Sequence, residues 1–405
     1  MNNDNKRHNG ISCIGILIGM VGLGWNIVAS AEEEPRKEGM RLSELADMIH
    51  IEGGLTWFLQ ATDGAVDDTT DLTYTFDLGL ESQISEHGKV VIALEAGDGL
   101  GVDTAVGALS AVNYDAFFTD STDLVPGATN IVSPSVSQAY YEGDYMDGGL
   151  VISAGKLDIH SMFDDNAYAN DETDQFMSAI FTRSADTSYA QVDYYYAPGV
   201  VAQYGISDKV DVELIVANGN GSGFNDIFNY MYIVGQVNFK PNLGGHDGNY
   251  RFYFINDGRK DAYTEISSGN TTSNNAWGLS FDQAVADHAG VFIRYSEQDD
   301  GIVENTVSSS WSLGALFEGA SWGRENDTIG IAYGSVNLNT DPAALAAAGI
   351  ASANADDETH LEAFYKYGVS DNFTLTADIQ VVENVGGDST ADTVTVPGLR
   401  GQLNF

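Results

Sequence analysis

Charged and amide side chains in this sequence fall at every second position of otherwise apolar stretches. Asp77 and Glu81 alternate with Leu72, Tyr74, Phe76, Leu78 and Leu80. Asp211 and Glu213 alternate with Val210, Val212, Leu214 and Val216, and Asp282 lies out of step with Trp277, Leu279 and Phe281. Asp378 and Gln380 sit between Phe373, Leu375, Ala377, Ile379 and Val381. The same rhythm assigns Glu52, Gln60, Arg251, Arg294, Glu362, Lys366 and Arg400 to a polar face. Spaced this way, carboxylates and guanidiniums do not make a catalytic centre. They make a wet wall of weak, repeated sites that hold a hydrated solute briefly and release it.

Catalysis has little to stand on. His50, His87, His160, His246, His288 and His360 are scattered, with no pair at metal spacing and no Gly-x-Ser-x-Gly turn. No catalytic residue, bound metal or cofactor is expected. The single cysteine, Cys13, lies near the amino terminus, so the rest of the chain has no disulfide framework or thiolate site.

A wet wall needs elements that present it. After residue 31 no apolar run reaches the roughly 18 residues of a spanning helix. Period-two alternation instead gives candidate strands at 49–61, 72–83, 88–97, 136–146, 150–158, 199–207, 210–219, 230–240, 249–257, 276–285, 289–298, 308–319, 327–338, 360–370, 372–384 and 394–405. That is an even number, about sixteen, as an antiparallel transmembrane barrel needs. Short polar turns such as Ser207-Asp208-Lys209 join many pairs. Long polar segments join others, at 98–135, 159–198, 258–275 and 339–359. Short turns on one rim and long loops on the other are the signature of an outer-membrane barrel. Residues 343–355 are alanine-rich and read as a loop with a turn or two of helix. The final strand alternates Leu399, Gly401, Leu403 and Phe405 with Arg400, Gln402 and Asn404, ending on an aromatic residue. The expected fold is therefore all-β, a closed antiparallel barrel over 49–405.

Composition agrees. The chain has 45 Gly and 38 Tyr plus Phe against 7 Pro, which suits sheet with an aromatic surface. Its formal charge is −42, from 17 Lys and Arg against 59 Asp and Glu. Such a surface repels phosphate backbones, so no nucleic-acid partner is expected. Lys6 and Arg7, the apolar run from Ile11 to Val28, and Ala29-Ser30-Ala31 read as a cleaved export signal over 1–31. Residues 32–48 read as a leader, with 41–48 able to form a short helix. The expected destination is the outer membrane of a Gram-negative bacterium, with its lipid and lipopolysaccharide as neighbours.

The loop at 159–198 is the constriction candidate, because it is long, acidic and aromatic. Asp164, Asp165, Asp171 and Glu172 are its expected pore-facing groups, with Lys156 and Asp158 at the end of the preceding strand. Such oxygens can also hold Ca²⁺, but no EF-hand spacing is present.

The stretch AGKLDIHSMFDDNAYANDETDQFMSAIF at 154–181 resembles the carbohydrate-selective porin family (OprB type). The matching positions are Gly155, Lys156, Asp158, Phe163, Asp164, Asn170, Gln175, Phe176 and Phe181. Residues 199–221 and 365–387 resemble two of the family's hairpins, with Val385 where an Asn-Pro-Gly-like turn usually has proline. The resemblance implies a sixteen-stranded barrel whose long loops narrow the pore, and uptake of monosaccharides by facilitated diffusion. Sugar pores of the family often carry basic residues at the constriction, whereas this chain has few to spare. Two other readings stay open: a general cation-preferring porin, and a structural or adhesive outer-membrane barrel. A homotrimer is compatible with all three, although no sequence feature demands one.

Overall fold

The computed structural model describes residues 49–99, 101–115, 135–159, 161–185, 196–219, 229–259 and 262–405. The expected export signal and leader lie outside the described residues. Sixteen long strands run in chain order. They are β1 (Ile49–Ala61), β2 (Thr70–Ser85), β3 (Gly88–Asp98), β4 (Ser135–Tyr145), β5 (Leu150–Asp158), β6 (Tyr196–Ser207), β7 (Val210–Asn218) and β8 (Met231–Phe239). They continue with β9 (His246–Asp257), β10 (Asn274–Ala286), β11 (Ala289–Gln298), β12 (Val307–Glu318), β13 (Thr328–Leu338), β14 (Glu358–Ser370), β15 (Phe373–Glu383) and β16 (Val394–Asn404). Each pairs antiparallel with its chain neighbours. Then β1 pairs with β16, from Gly54 opposite Asn404 to Gln60 opposite Gly398, and the sheet closes on itself. Closure leaves no unpaired edge, which is the condition for strands to cross a bilayer.

The strands have opposite characters on their two faces, as alternation requires. Leu59, Leu72, Leu214, Phe254, Trp277, Ile293, Leu313, Ile331, Leu361, Ile379 and Leu399 point outward and are between 38% and 54% exposed. Gln60, Thr75, Ser280, Arg294, Glu362 and Arg400 point inward and are at most 2% exposed. At about 25 cal/mol per Å² of apolar surface, a belt of this kind is stable against hydrocarbon and costly in water. A soluble sandwich would have the two faces reversed. Near the short-turn rim the belt carries Tyr141, Tyr145, Tyr204, Phe239, Phe317, Tyr367 and Phe405, all exposed. This is where an aromatic girdle meets the interface.

The loops sort by rim. Two-residue turns join β2 to β3, β6 to β7, β10 to β11 and β14 to β15. The long segments all leave the opposite rim. One of them carries a short helix, Pro342–Ala347, started by the Asp341 carboxylate accepting the Ala343 N–H at 2.8 Å. Two long segments do not stay at the rim, and here the structure departs from a simple picture of lipid-facing grease and a water-filled interior. Residues 101–115 and 161–185 fold into the barrel and bring apolar side chains with them. Phe163 packs inside with Leu157, Ile159, Ile215, Val234 and Ile255. Phe176, Ile180 and Phe181 pack with Phe292, Val336 and Phe364. Val102, Val106 and Val112 pack with Val382, Val394 and Val396. Part of the lumen is therefore a dry core, built where the loops meet the wall.

Candidate pore constriction

The segment 161–185 is bound along its length to inward side chains of β8 through β16. Arg294 on β11 is its deepest anchor. Its Nε donates to Asp164 Oδ1 at 3.1 Å, one Nη to the Asp164 carbonyl at 2.8 Å, and the other to the Ala169 carbonyl at 2.5 Å and to the Phe181 carbonyl. Arg251 on β9 bridges Asp282 at 2.6 Å and Asp165 at 3.2 Å. Glu362 on β14 accepts the backbone N–H groups of Met177 at 2.6 Å and Ser178 at 3.0 Å. Lys366 pairs with Asp174 at 2.6 Å, and Arg400 donates to the carbonyls of Glu172 at 2.7 Å and Gln175 at 2.9 Å. Gln402 donates to Thr173 at 2.8 Å.

The segment 101–115 is held beside it. Glu358 accepts the N–H groups of Leu109, Ser110 and Gly386 and is bonded to His360 at 2.8 Å. Asn113 donates to Gln60 and Thr75 donates to Asp115, at 2.8 and 2.7 Å. The two loops also bond each other. Tyr114 N–H donates to the Met177 carbonyl and Ala179 N–H to the Ala111 carbonyl, both at 2.9 Å.

This arrangement divides the charges. Arg294, Arg251, Arg400 and Lys366 are spent on the contact between loop and wall. Carboxylates gather on the side that faces β2 and β3. Asp77 on β2 lies in the field of Glu172 and Asp171, and Glu95 on β3 in the field of Asp77 and Asp115. Burial, then the neighbouring Asp77 and Asp171, pushes the Asp115 carboxyl up to about 7, against the opposing hydrogen bond from Thr75. Burial, then Asp171 and Asp115, pushes Glu172 up to about 8. The candidate constriction is thus an acidic edge, formed by two loops and facing β2 and β3.

Of the residues named from sequence, Asp77, Asp171 and Glu172 meet at this edge. Asp165 reaches into the lumen half-exposed, in the field of Glu213. Asp164, Arg251, Asp282, Arg294, Glu362, Asp378 and Arg400 face inward but are buried, because the loops cover them. Glu81 pairs with Lys89 at 2.9 Å, and Lys89 also reaches Glu142 at 3.3 Å. Asp211 pairs with Lys240, close to the short-turn rim. Lys156 and Asp158 both lie in the field of Glu95, at the β3 side of the edge. Lys156 donates to the Val136 carbonyl at 2.6 Å and lies 5.9 Å from the Tyr196 ring, and Asp158 accepts the Ser161 N–H at 3.3 Å.

Glu95, Asp115 and Glu358 belong to the site and were not singled out by sequence. Glu95 was within reach, since Val91, Ala93 and Glu95 alternate with Val90, Ile92 and Leu94. Asp115 sits in an aperiodic loop and gave no signal.

A family model for carbohydrate-selective porins, OprB family, matches residues 61–405. Porin B of Pseudomonas aeruginosa is 22% identical over 314 residues, covering 67% of this chain and 68% of that protein. An uncharacterized protein of Nostoc sp. is 24% identical over 360 residues, or 81% of this chain, and the chain spans 60% of that relative's length. The high-pH structure of OprB from Pseudomonas putida aligns with a TM-score of 0.73 at 18% identity, over 91% of this chain and 96% of that one. At that identity the likeness speaks for the fold alone.

Proposed function

The chain belongs to the carbohydrate-selective porin family, OprB type, and we propose on that premise that it lets small hydrophilic solutes, carbohydrates first among them, diffuse passively through the outer membrane of a Gram-negative cell. What supports this reading is the inward segment 161–185, which lies against the inner wall of a closed barrel and, on this proposal, narrows its lumen. Passage then depends on width and on weak polar contacts, and no catalyst takes part. Residues 1–31 serve in this proposal as the export signal, and lipid with lipopolysaccharide surrounds the apolar belt.

The acidic edge favours a second reading, a general pore that prefers cations. The two separate in one pair of measurements on purified protein. Liposome swelling in sugars of increasing size reads neutral-solute passage, and reversal potentials in a KCl gradient read ion preference. Rapid glucose swelling supports the carbohydrate reading. Strong cation preference with no sugar swelling would replace it with the second. Absence of both would leave only a structural or adhesive barrel.

A further inference from the structure

We propose that Arg294 sets the width of the channel, acting as a clasp on the inward loop and not as a residue that touches solute. The proposal rests on the pore reading above.

Three observations point to it. First, the guanidinium gathers separated points of the loop. It binds both the carboxylate and the carbonyl of Asp164, the carbonyl of Ala169 and the carbonyl of Phe181, and comes within 3.5 Å of Asn170 Oδ1. The limb that enters the lumen and the limb that leaves it are thus tied to one side chain. Arg400, Gln402 and Glu362 bind the stretch between them, at residues 172–178.

Second, Asp164 extends the clasp. Its Oδ1 meets Arg294, its Oδ2 accepts the Ser184 N–H at 2.8 Å, and its own N–H donates to Gln236 at 3.2 Å. Its backbone is left-handed, with φ of 55°, a turn that Asp and Asn tolerate better than most residues. That turn is what aims both its carbonyl and its carboxylate at one guanidinium.

Third, the clasp is dry. Arg294 is 1% exposed and Asp164 2%. On the same face of β11 the Tyr168 ring covers Gly290, and Phe176, Phe181 and Phe292 pack alongside. A buried guanidinium with planar, divergent N–H groups can hold several carbonyls at once, which an ammonium cannot. Without it the loop keeps its contacts at 172–178 and the limb-to-limb bond from Ser184 to Asp164, but loses the side chain that fastens both limbs to the wall, and the lumen widens.

The test uses the whole chain, refolded or extracted in detergent, with Arg294→Met, Arg294→Lys and Asp164→Asn. Barrels that close are recognised by heat-modifiable migration on gels. In planar bilayers we expect folded Arg294→Met to show a rise of roughly twofold or more in single-channel conductance, with noisier open states, since a loosened loop no longer fixes the aperture. Liposomes carrying it should swell in oligosaccharides that the parent excludes. Arg294→Lys should resemble Arg294→Met, because charge alone does not replace the fork. Parental conductance and size limit in folded Arg294→Met, or full rescue by Arg294→Lys, overturns the clasp. Should Arg294→Met fail to close, Asp164→Asn decides by the same measurements: it keeps the turn and loses the ion pair, so an unchanged aperture rejects the proposal and a wider one supports it. A parent that conducts nothing would instead sink the pore reading itself.

Discussion

Asp115 and Glu172 bring two loops' carboxyls to one edge, beside Asp77 and Asp171, and among the described residues no ion pair is formed by any of the four. Burial and mutual repulsion raise the first to about 7 and the second to about 8, so both are partly protonated at neutral pH. A raised carboxyl is neutral below its pKa and negative above it. Cation preference should therefore climb as pH rises from about 6 to about 9, with two further charges arriving at the edge. Reversal potentials in a KCl gradient across that range read the climb. The double variant Asp115→Asn, Glu172→Gln should flatten it, and an unchanged slope would remove these two groups from the constriction. At this scale sequence was a partial guide. Period two gives the face of Asp77, Arg294, Glu362 and Arg400 correctly, because a strand leaves a side chain only two directions. It cannot say that Asp164 meets Arg294 or that Glu362 caps Met177 and Ser178, since those partners are more than a hundred residues apart in the chain.

Between β11 and β14 the inner wall makes room for the loop with glycines. A Cβ on Gly290 would lie 1.9 Å from the Tyr168 ring, and one on Gly330 2.2 Å from Phe364. Even the smallest side chain must displace what packs there. Gly290→Ala should therefore fold as a barrel but push Tyr168 off the wall, raising open-channel noise and admitting slightly larger sugars. Single-channel recording checks this, and a trace identical to the parent's would show that Tyr168 does not hold the loop. Strands were the legible elements. Alternation located all sixteen within a few residues, because each is long and meets lipid on one side and polar groups on the other. The inward loops were not legible in course or contacts. Segments 101–115 and 161–185 have no period, and what folds them inward is a set of long-range ion pairs and backbone hydrogen bonds that only the closed barrel assembles.

The whole molecule carries 59 acidic against 17 basic side chains, and its basic groups include several committed to holding the loop. The field over the pore mouths should then be negative and should gather cations. Salt screens such a field, with a Debye length of about 10 Å at 0.1 M and about 3 Å at 1 M. Cation preference should fall steeply between those concentrations, while glucose flux, which carries no charge, should not. Ion preference that holds constant across that range would place the selectivity in close contact with individual carboxylates and not in the overall field.

The seam where β1 meets β16 has a consequence for biogenesis. Its two sides are separated by nearly the whole chain, yet Gly53 and Phe405 exchange backbone hydrogen bonds across it, and the Phe405 ring stacks on Phe76. The sheet stays open-edged until its last strand arrives, so each intermediate on the way to the membrane exposes donors and acceptors that invite aggregation. A chain built this way is exposed to edge-to-edge association until that pairing forms, so the β1–β16 seam guards against aggregation as well as against leakage.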